Sequence, residues 1–463
     1  MTPSAAPRFT AAALARALGL PHAPTAEQAA IIEAPLESML VIAGAGSGKT
    51  ETMAARVVWL VANEFVAPEE VLGLTFTRKA AGELAERITG RLRTLSRLDG
   101  RRPGVDSEGA QLLEGTATVA TYHSYAGQLV GEYGLRLGIE PDSRLLSEAA
   151  SWQYAAEAVA RYDGDLSEMT QAERTAVAAV VDLAGEMAEH LLTTADVVAE
   201  LDRVLGAIAD TPSTGRGALP PGLKSMVTAL TNRRALLPIV DRFAALKRSR
   251  DALDFTDQIA SAAALAARHP DIGAAQRRRY RVVLLDEFQD TSEAQLVLLR
   301  DLFVAHDDAV PVTAVGDPHQ SIYGWRGASA TTLARFPQEF RAGPQPVPVV
   351  PLSTSWRNDR VILAIANSLS DPLRADSRVA VPSLVARPQA GPGAVTVARL
   401  DTQDDEAAYL AAWVAASRTS ADVSAAVLCR KRSQFAPVMA ALEAADVPYE
   451  VVGLGGLLLT PEI

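Results

Sequence analysis

The sequence holds one cysteine, Cys429, among 463 residues. A single thiol excludes an internal disulfide framework and a cysteine-built zinc cluster, and it suits a reducing compartment. Cys429 itself reads as a small buried hydrophobe. Long apolar runs are missing too. No uninterrupted stretch reaches the roughly 18 apolar residues that span a bilayer, and the N-terminus lacks a basic segment followed by an apolar one. These absences lead to the expectation of a cytoplasmic protein with no membrane partner. Positive charge is in deficit, with a formal net charge of −11, so the chain does not coat nucleic acid through bulk basicity, which needs broad phosphate neutralisation. Any such contact would be local. Arginines do cluster, at Arg87, Arg91, Arg93, Arg97, Arg101 and Arg102, and basic residues again at Arg233, Arg234, Lys247, Arg248 and Arg250. Solvated helix faces are the ordinary reading of such runs, and phosphate contacts the alternative.

Hydrophobic residues at 48% and charged residues at 21% are ordinary for a globular chain, and the length suggests about three domains. Short apolar runs at 39–42, 71–77, 117–121, 282–285 and 312–315 each end in polar residues, and helical patterns lie between them. Strands of that kind predict an α/β fold whose ligands bind beyond the strands' carboxyl ends. From 129 to 253 the pattern turns helical, rich in alanine and leucine, which reads as an insertion. A proline-rich stretch at 344–351 marks a boundary. Beyond it, strands at 394–400, 425–430 and 449–452 alternate with helices at 405–417 and 433–445, as a second α/β domain would. The expected division is 1–128 and 254–343 for the first α/β domain, 129–253 for the insertion and 344–463 for the start of the second.

The loop Ala43, Gly44, Ala45, Gly46, Ser47, Gly48, Lys49, Thr50 has the phosphate-cradling form, with alanine where the strict pattern has its first glycine. Glycines let backbone N–H groups turn toward phosphate oxygens, and the following helix start adds a favourable dipole. Lys49 would neutralise the β- and γ-phosphates of ATP, and Thr50 would ligate Mg²⁺. The run 282–285 followed by Asp286 and Glu287 supplies the second half of a hydrolytic site. Asp286 would hold Mg²⁺, and Glu287 would orient and deprotonate the attacking water. Gln320, at the end of the next strand, could report loss of the γ-phosphate. His319 reads as a surface loop residue.

Taken in order, these segments resemble the UvrD/Rep/PcrA family of superfamily 1 DNA helicases. Thr25 to Gln28 resembles the Q motif, Leu-Thr-Phe-Thr-Arg-Lys at 74–79 motif Ia, Thr-Tyr-His-Ser at 121–124 motif Ib, Asp-Glu-Phe-Gln-Asp at 286–290 motif II, and Gly-Asp-Pro-His-Gln-Ser-Ile-Tyr-Gly-Trp-Arg-Gly at 316–327 motif III. Ser355, Trp356 and Arg357 resemble motif IV, with tryptophan where tyrosine is usual. The resemblance implies a RecA-like P-loop motor domain with a helical insertion, followed by the start of a second RecA-like domain. It implies ATP and Mg²⁺ as cofactors, single-stranded and duplex DNA as partners, and 3′-to-5′ translocation coupled to strand separation in repair or recombination. Under it Gln28 reads the adenine edge, Trp356 stacks on the base and Arg357 reaches the γ-phosphate. Phe76, Tyr323 and Trp325 would stack on DNA bases, and Arg78, His123 and Arg326 would complete the strand contacts.

Finer features, including Gly-Lys-Thr-Glu-Thr-Met at 48–53 and Leu-Asp-Phe-Thr-Asp at 253–257, resemble the B subunits of actinobacterial AdnAB helicase-nucleases, which implies an AdnA-like heterodimer partner. Family members often carry arginine where Glu51 stands, which puts an extra ATP or cross-domain contact there in doubt. The family continues into motifs V and VI beyond a segment like that ending here at Ile463. The chain is therefore expected to bind ATP and DNA but to hydrolyse and unwind weakly alone, since an arginine finger carries orders of magnitude in rate. The alternative is a non-catalytic, ATP-dependent DNA-binding module.

Overall fold

A computed structural model describes residues 7–99, 115–164, 173–210, 219–324, 331–418, 420 and 423–452. The chain divides into two compact units, Met1–Gly393 and Ala394–Ile463.

The first unit is built on a sheet of six strands: β1 (Met39–Ala43), β2 (Val71–Thr75), β3 (Thr118–Thr121), β6 (Val282–Leu285), β7 (Val312–Gly316) and β8 (Val349–Leu352), in the order β3-β2-β6-β7-β1-β8. Every pairing is parallel. Residues of β1, β2, β6 and β7 are buried on both faces, which is why they read as unbroken apolar runs rather than as alternating strands. Leu40, Leu72, Val283 and Leu285 face a core shared with Tyr125, Leu298 and Phe336. Val41, Val71, Val282 and Leu284 face the other, shared with Met53, Trp59 and Ile88. A mixed α/β architecture with a parallel sheet covered by helices on both faces results, as the sequence predicts.

Two short parallel strands, β4 (Arg144–Leu145) and β5 (Ala252–Leu253), pair with each other at the neck of the helical stretch. Between them run the helices Glu148–Ala160, Glu173–Glu189, Thr194–Asp210 and Pro221–Ser249, with a separate small core around Val180, Leu237, Ile239 and Phe243. Lys247 closes the neck: its buried ammonium bonds both Asp254 and Asp257 at 2.6 Å, and Asp254 caps the helix Phe255–Arg268. The Leu-Asp-Phe-Thr-Asp segment thereby acquires a structural meaning. Much of the basic clustering is spent on ion pairs, Arg234 with Asp202 and Arg250 with Glu157.

Residues 344–393, placed after the proline-rich boundary by the sequence reading, contribute β8 to this sheet through its register with β1. They also contribute the strands β9 (Thr354–Ser355) and β10 (Val385–Ala386), which pair in parallel, and the helix Arg360–Ala375. The second unit holds the helices Gln403–Ser417 and Phe435–Ala444, packed through Ala411, Val414 and Leu442. The strands expected at 394–400, 425–430 and 449–452 do not form among its described residues. Val397 and Leu428 are almost fully exposed there, and these segments have no laddered neighbour to satisfy a strand's hydrogen bonds. Cys429 is half-buried and free, not fully buried as expected. Among the described residues no helix is long and apolar enough to cross a membrane.

Candidate nucleotide site

The carboxyl ends of β1, β7 and β6 lie side by side, and the polar segments that follow them converge. After β1 the chain turns through Gly46 (φ +74°) and Gly48 (φ +81°) into the helix Lys49–Ala62. Left-handed φ values are cheap only for glycine, which explains the spacing of the two residues. A side chain at Gly46 would also collide with Arg357 Cβ at 2.7 Å and Ser355 Oγ at 2.9 Å. The loop is thus shaped partly by what lies against it.

Lys49 Nζ meets Glu287 Oε2 at 3.0 Å, and the Thr50 hydroxyl lies 3.5 Å from Asp286 Oδ2. These contacts join residues more than 230 positions apart, because β6 delivers its carboxylates beside the loop that β1 feeds. Asp286 is buried, and burial first, then the neighbouring Glu287 charge, pushes its carboxyl up to about 6. A carboxylate in that condition gains from a cation brought within reach. Glu287 takes a left-handed backbone at φ +50°, uncommon for a residue with a side chain and concentrated where function holds it. The Asp286 carbonyl accepts from the Tyr122 hydroxyl at 3.1 Å.

Gln289 is the hub that sequence reasoning passed over. Its amide nitrogen donates to Glu287 at 2.8 Å and to Asp290 at 3.0 Å, while its oxygen accepts from the Asp317 backbone N–H at 3.0 Å. Asp317 in turn accepts from the Gln320 amide at 2.6 Å. Gln320 is therefore linked to Glu287 through Asp317 and Gln289.

Gln28 sits in the first turn of the helix Ala26–Ile32, where it completes a capping box with Thr25. Its amide reaches the Ser47 carbonyl at 3.5 Å. Glu27, beside it, accepts from both the Ser353 N–H and hydroxyl and so ties this helix to the chain leaving β8. Trp356 N–H donates to the Gly46 carbonyl at 2.8 Å, and the Ser355 hydroxyl to the Ala45 carbonyl at 3.1 Å. The Trp356 ring stacks on His22 with centroids 5.1 Å apart, an aromatic partner that sequence reading did not find. Arg357 stands exposed beside Gly46. Of the residues predicted for nucleotide binding, the structure brings together the whole loop 43–50 with Gln28, Asp286, Glu287, Gln320, Trp356 and Arg357.

The residues expected to meet DNA lie on a different part of the same sheet end. Phe76 and Tyr323 stack on each other, centroids 4.9 Å apart at 26°. Phe76, Arg78 and His123 line a groove of about 1000 Å³ with Phe255, whose ring meets His123 edge-on. Carboxylates share this groove: Glu148, Asp182, Glu186 and Glu189, contributed by the helical insertion and invisible in a motif search. Trp325 and Arg326 lie outside the described residues.

A phosphate-cradling loop, a buried carboxylate pair and an amide relay at the end of a parallel sheet define a P-loop nucleotide-binding motor domain of the RecA-like type. The profile of the UvrD/REP helicase N-terminal domain matches residues 24–341, and the chain belongs to that family. It is 27% identical over 426 residues to the ATP-dependent DNA helicase UvrD1 of Mycobacterium tuberculosis (strain H37Rv), covering 90% of this chain and 48% of that protein. It is 26% identical over 435 residues to the ATP-dependent DNA helicase PcrA of Leuconostoc citreum, covering 92% and 49%. Against PcrA of Bacillus subtilis the identity is 26% over 331 residues, covering 72% and 37%. The chain thus spans about half the length of the curated relatives it matches.

Proposed function

We propose that this chain is the ATP-binding motor portion of a DNA helicase, moving 3′ to 5′ along single-stranded DNA in repair or recombination. The observation that carries the reading is the meeting of Lys49 and Thr50 with Glu287 and Asp286 across the sheet, in a chain of the UvrD/REP family. Similarity to the AdnAB B subunits, with an AdnA-like partner, and a cytoplasmic location belong to the same proposal.

ATP is the substrate of this site. Its γ-phosphate displaces Glu287 from Lys49, because a multiply charged phosphate outcompetes one carboxylate for the ammonium. Freed, Glu287 is held by the Gln289 amide alone and is available to take a proton from water. Thr50 and Asp286 are hard oxygen donors of the kind Mg²⁺ accepts alongside phosphate oxygens, and the raised carboxyl of Asp286 is what such a cation would bring back down. Held by Thr50 and Asp286, such an ion would supply neutralisation of the phosphate charge. Gln320 senses the phosphate and passes its loss through Asp317 and Gln289 to Glu287. Gln28 reads the base edge, Trp356 stacks on it, and Arg357 approaches the phosphates over Gly46.

On the DNA side, Phe76 and Tyr323 offer ring faces to bases, each stack worth about 1 to 3 kcal/mol, with Arg78 and His123 beside them; Trp325 and Arg326 belong to the same proposed set. Cycles of nucleotide binding and loss would move these contacts along one strand and displace the other.

The test is Mg-ATP hydrolysis with and without single-stranded DNA, for the protein and for Glu287→Gln. Hydrolysis that is weak but rises with DNA, and falls about a hundredfold or more in Glu287→Gln with ATP binding retained, is the expected result. Hydrolysis unaffected by the substitution would sink the assignment of Glu287 as general base.

A further inference from the structure

Next to the phosphate loop lies a cavity of about 480 Å³ whose wall includes Gln28, Gly48, Glu51, Arg87, Arg91 and Trp356. Most of the remaining lining is aliphatic, from the N-terminal helix and the inner face of the helix Lys49–Ala62. Two residues of this wall carry a buried hydrogen-bond donor without a partner among the described residues: Arg91 Nη1 and Trp356 Nε1. A buried donor left unpaired costs about 1 to 3 kcal/mol, so two of them in one cavity call for acceptors from outside the chain. Arg91 is itself fixed. Its other guanidinium nitrogen bonds Glu51 Oε1 at 2.5 Å, and Arg87 adds a second contact to Glu51 at 3.4 Å. Glu51 sits two residues after Lys49, on the first turn of the loop's own helix.

We propose that Arg91, held by Glu51, is a nucleotide-binding residue, presenting its free Nη1 donor to the ring nitrogens or ribose oxygens of a purine nucleotide seated between Gln28 and Trp356. A purine ring carries several unprotonated nitrogens as acceptors and a flat face on which a guanidinium packs well. The cavity offers both a planar cation and an indole. Glu51 acts as a positioning residue: it holds Nη2 of the Arg91 fork and leaves Nη1 available to a ligand. The helix Arg78–Asp99, which follows β2, thereby enters the nucleotide site, although it carries no residue of the phosphate loop. The inference rests on the reading of this end of the sheet as an ATP site.

The experiment is calorimetric titration of the full chain with Mg-ADP and, separately, with inorganic tripolyphosphate, which carries phosphates but no base or sugar. For Arg91→Ala the affinity for Mg-ADP is expected to fall about tenfold while that for tripolyphosphate stays as in the parent protein, since one charge-assisted contact to base or sugar is lost. Arg91→Lys, which keeps the charge and the pairing with Glu51 but not the planar fork, should fall in the same direction and less, and it stands in if the alanine variant does not fold. Glu51→Gln should weaken Mg-ADP binding, and the exchanged pair Glu51→Arg with Arg91→Glu should recover part of the loss. Unchanged Mg-ADP affinity in Arg91→Ala or Arg91→Lys, with binding lost in Lys49→Ala, overturns the inference alone. A parent protein that binds neither Mg-ADP nor tripolyphosphate overturns the ATP-site reading and the inference together.

Discussion

Arg56 shows how much the geometry around the loop 43–50 depends on a residue outside it. It is fully buried in the helix that begins with Lys49, and its guanidinium donates to the carbonyls of Ile31, Ala34 and Pro35 at 2.8 to 2.9 Å. Burial lowers its pKa to about 10, which leaves it charged at neutral pH. Those carbonyls belong to the end of the helix carrying Gln28 and to the turn into β1, so one side chain fixes the helix carrying Gln28 to the helix that begins with Lys49. Arg56→Ala removes three charge-assisted hydrogen bonds to backbone carbonyls, each worth about 1.5 to 3 kcal/mol. The expected outcome is a loss of at least about 3 kcal/mol in denaturant unfolding, and a change below 1 kcal/mol would contradict it. In the sequence Arg56 is an arginine in an apolar helix with no mark of this duty. Lys49, Asp286 and Glu287 were legible because glycine-rich loops and paired carboxylates after an apolar strand are local patterns. Gln289, Glu51 with Arg91, and His22 on Trp356 were not, since each acquires its part only from a neighbour placed by the fold.

At the scale of elements, the helical insertion and the motor sheet meet at Glu189, the last residue of the helix Glu173–Glu189. Its carboxyl is buried, 7% exposed, and receives a hydrogen bond from Ser292, which caps the helix following Asp290. Burial, reinforced by Glu186 and Asp254, raises its pKa from 4.5 to about 7. The folded state therefore holds this proton more tightly than the unfolded chain. Its contribution to stability is fully present below pH 4.5, is lost as the pH rises toward 7, and stays lost above that. Glu189→Gln keeps the shape and removes the charge. It should stabilise the protein at pH 8 by up to about 3 kcal/mol and flatten the stability profile between pH 5 and 7. A melting-temperature series across that range checks this, and an unchanged profile would contradict it. Elements themselves were largely readable: the apolar runs became β1, β2, β3, β6 and β7, and Thr25 caps its helix as its side chain suggests. The readings that failed, the strands at 394–400, 425–430 and 449–452, depend on neighbours for their hydrogen bonds, which no local pattern guarantees.

For the whole molecule, the parallel sheet places the nucleotide loop and the Phe76–Tyr323 stack at the carboxyl ends of its strands, with the end of β7 common to both. The segment after β7 carries Gln320, which contacts Asp317 in the amide relay, and three residues later Tyr323, which stacks on Phe76. Under the proposed function, nucleotide state and DNA grip would be joined through this one short stretch of chain. The sheet order was not legible, because it follows from long-range pairing; that the motif residues would gather at one end of the strands was, because every motif closes an apolar run. The acidic groove lining from the insertion is in keeping with a chain whose net charge is −11.

The most direct measurement of this coupling is the affinity for a fluorescent single-stranded oligodeoxythymidine, read by anisotropy with no nucleotide, with Mg-ADP and with a non-hydrolysable Mg-ATP analogue. The account predicts affinities that differ several-fold among the three states in the parent protein and coincide in Lys49→Ala, which keeps the aromatic contacts but loses the phosphate contact. Equal affinities in all three states of the parent protein would contradict it.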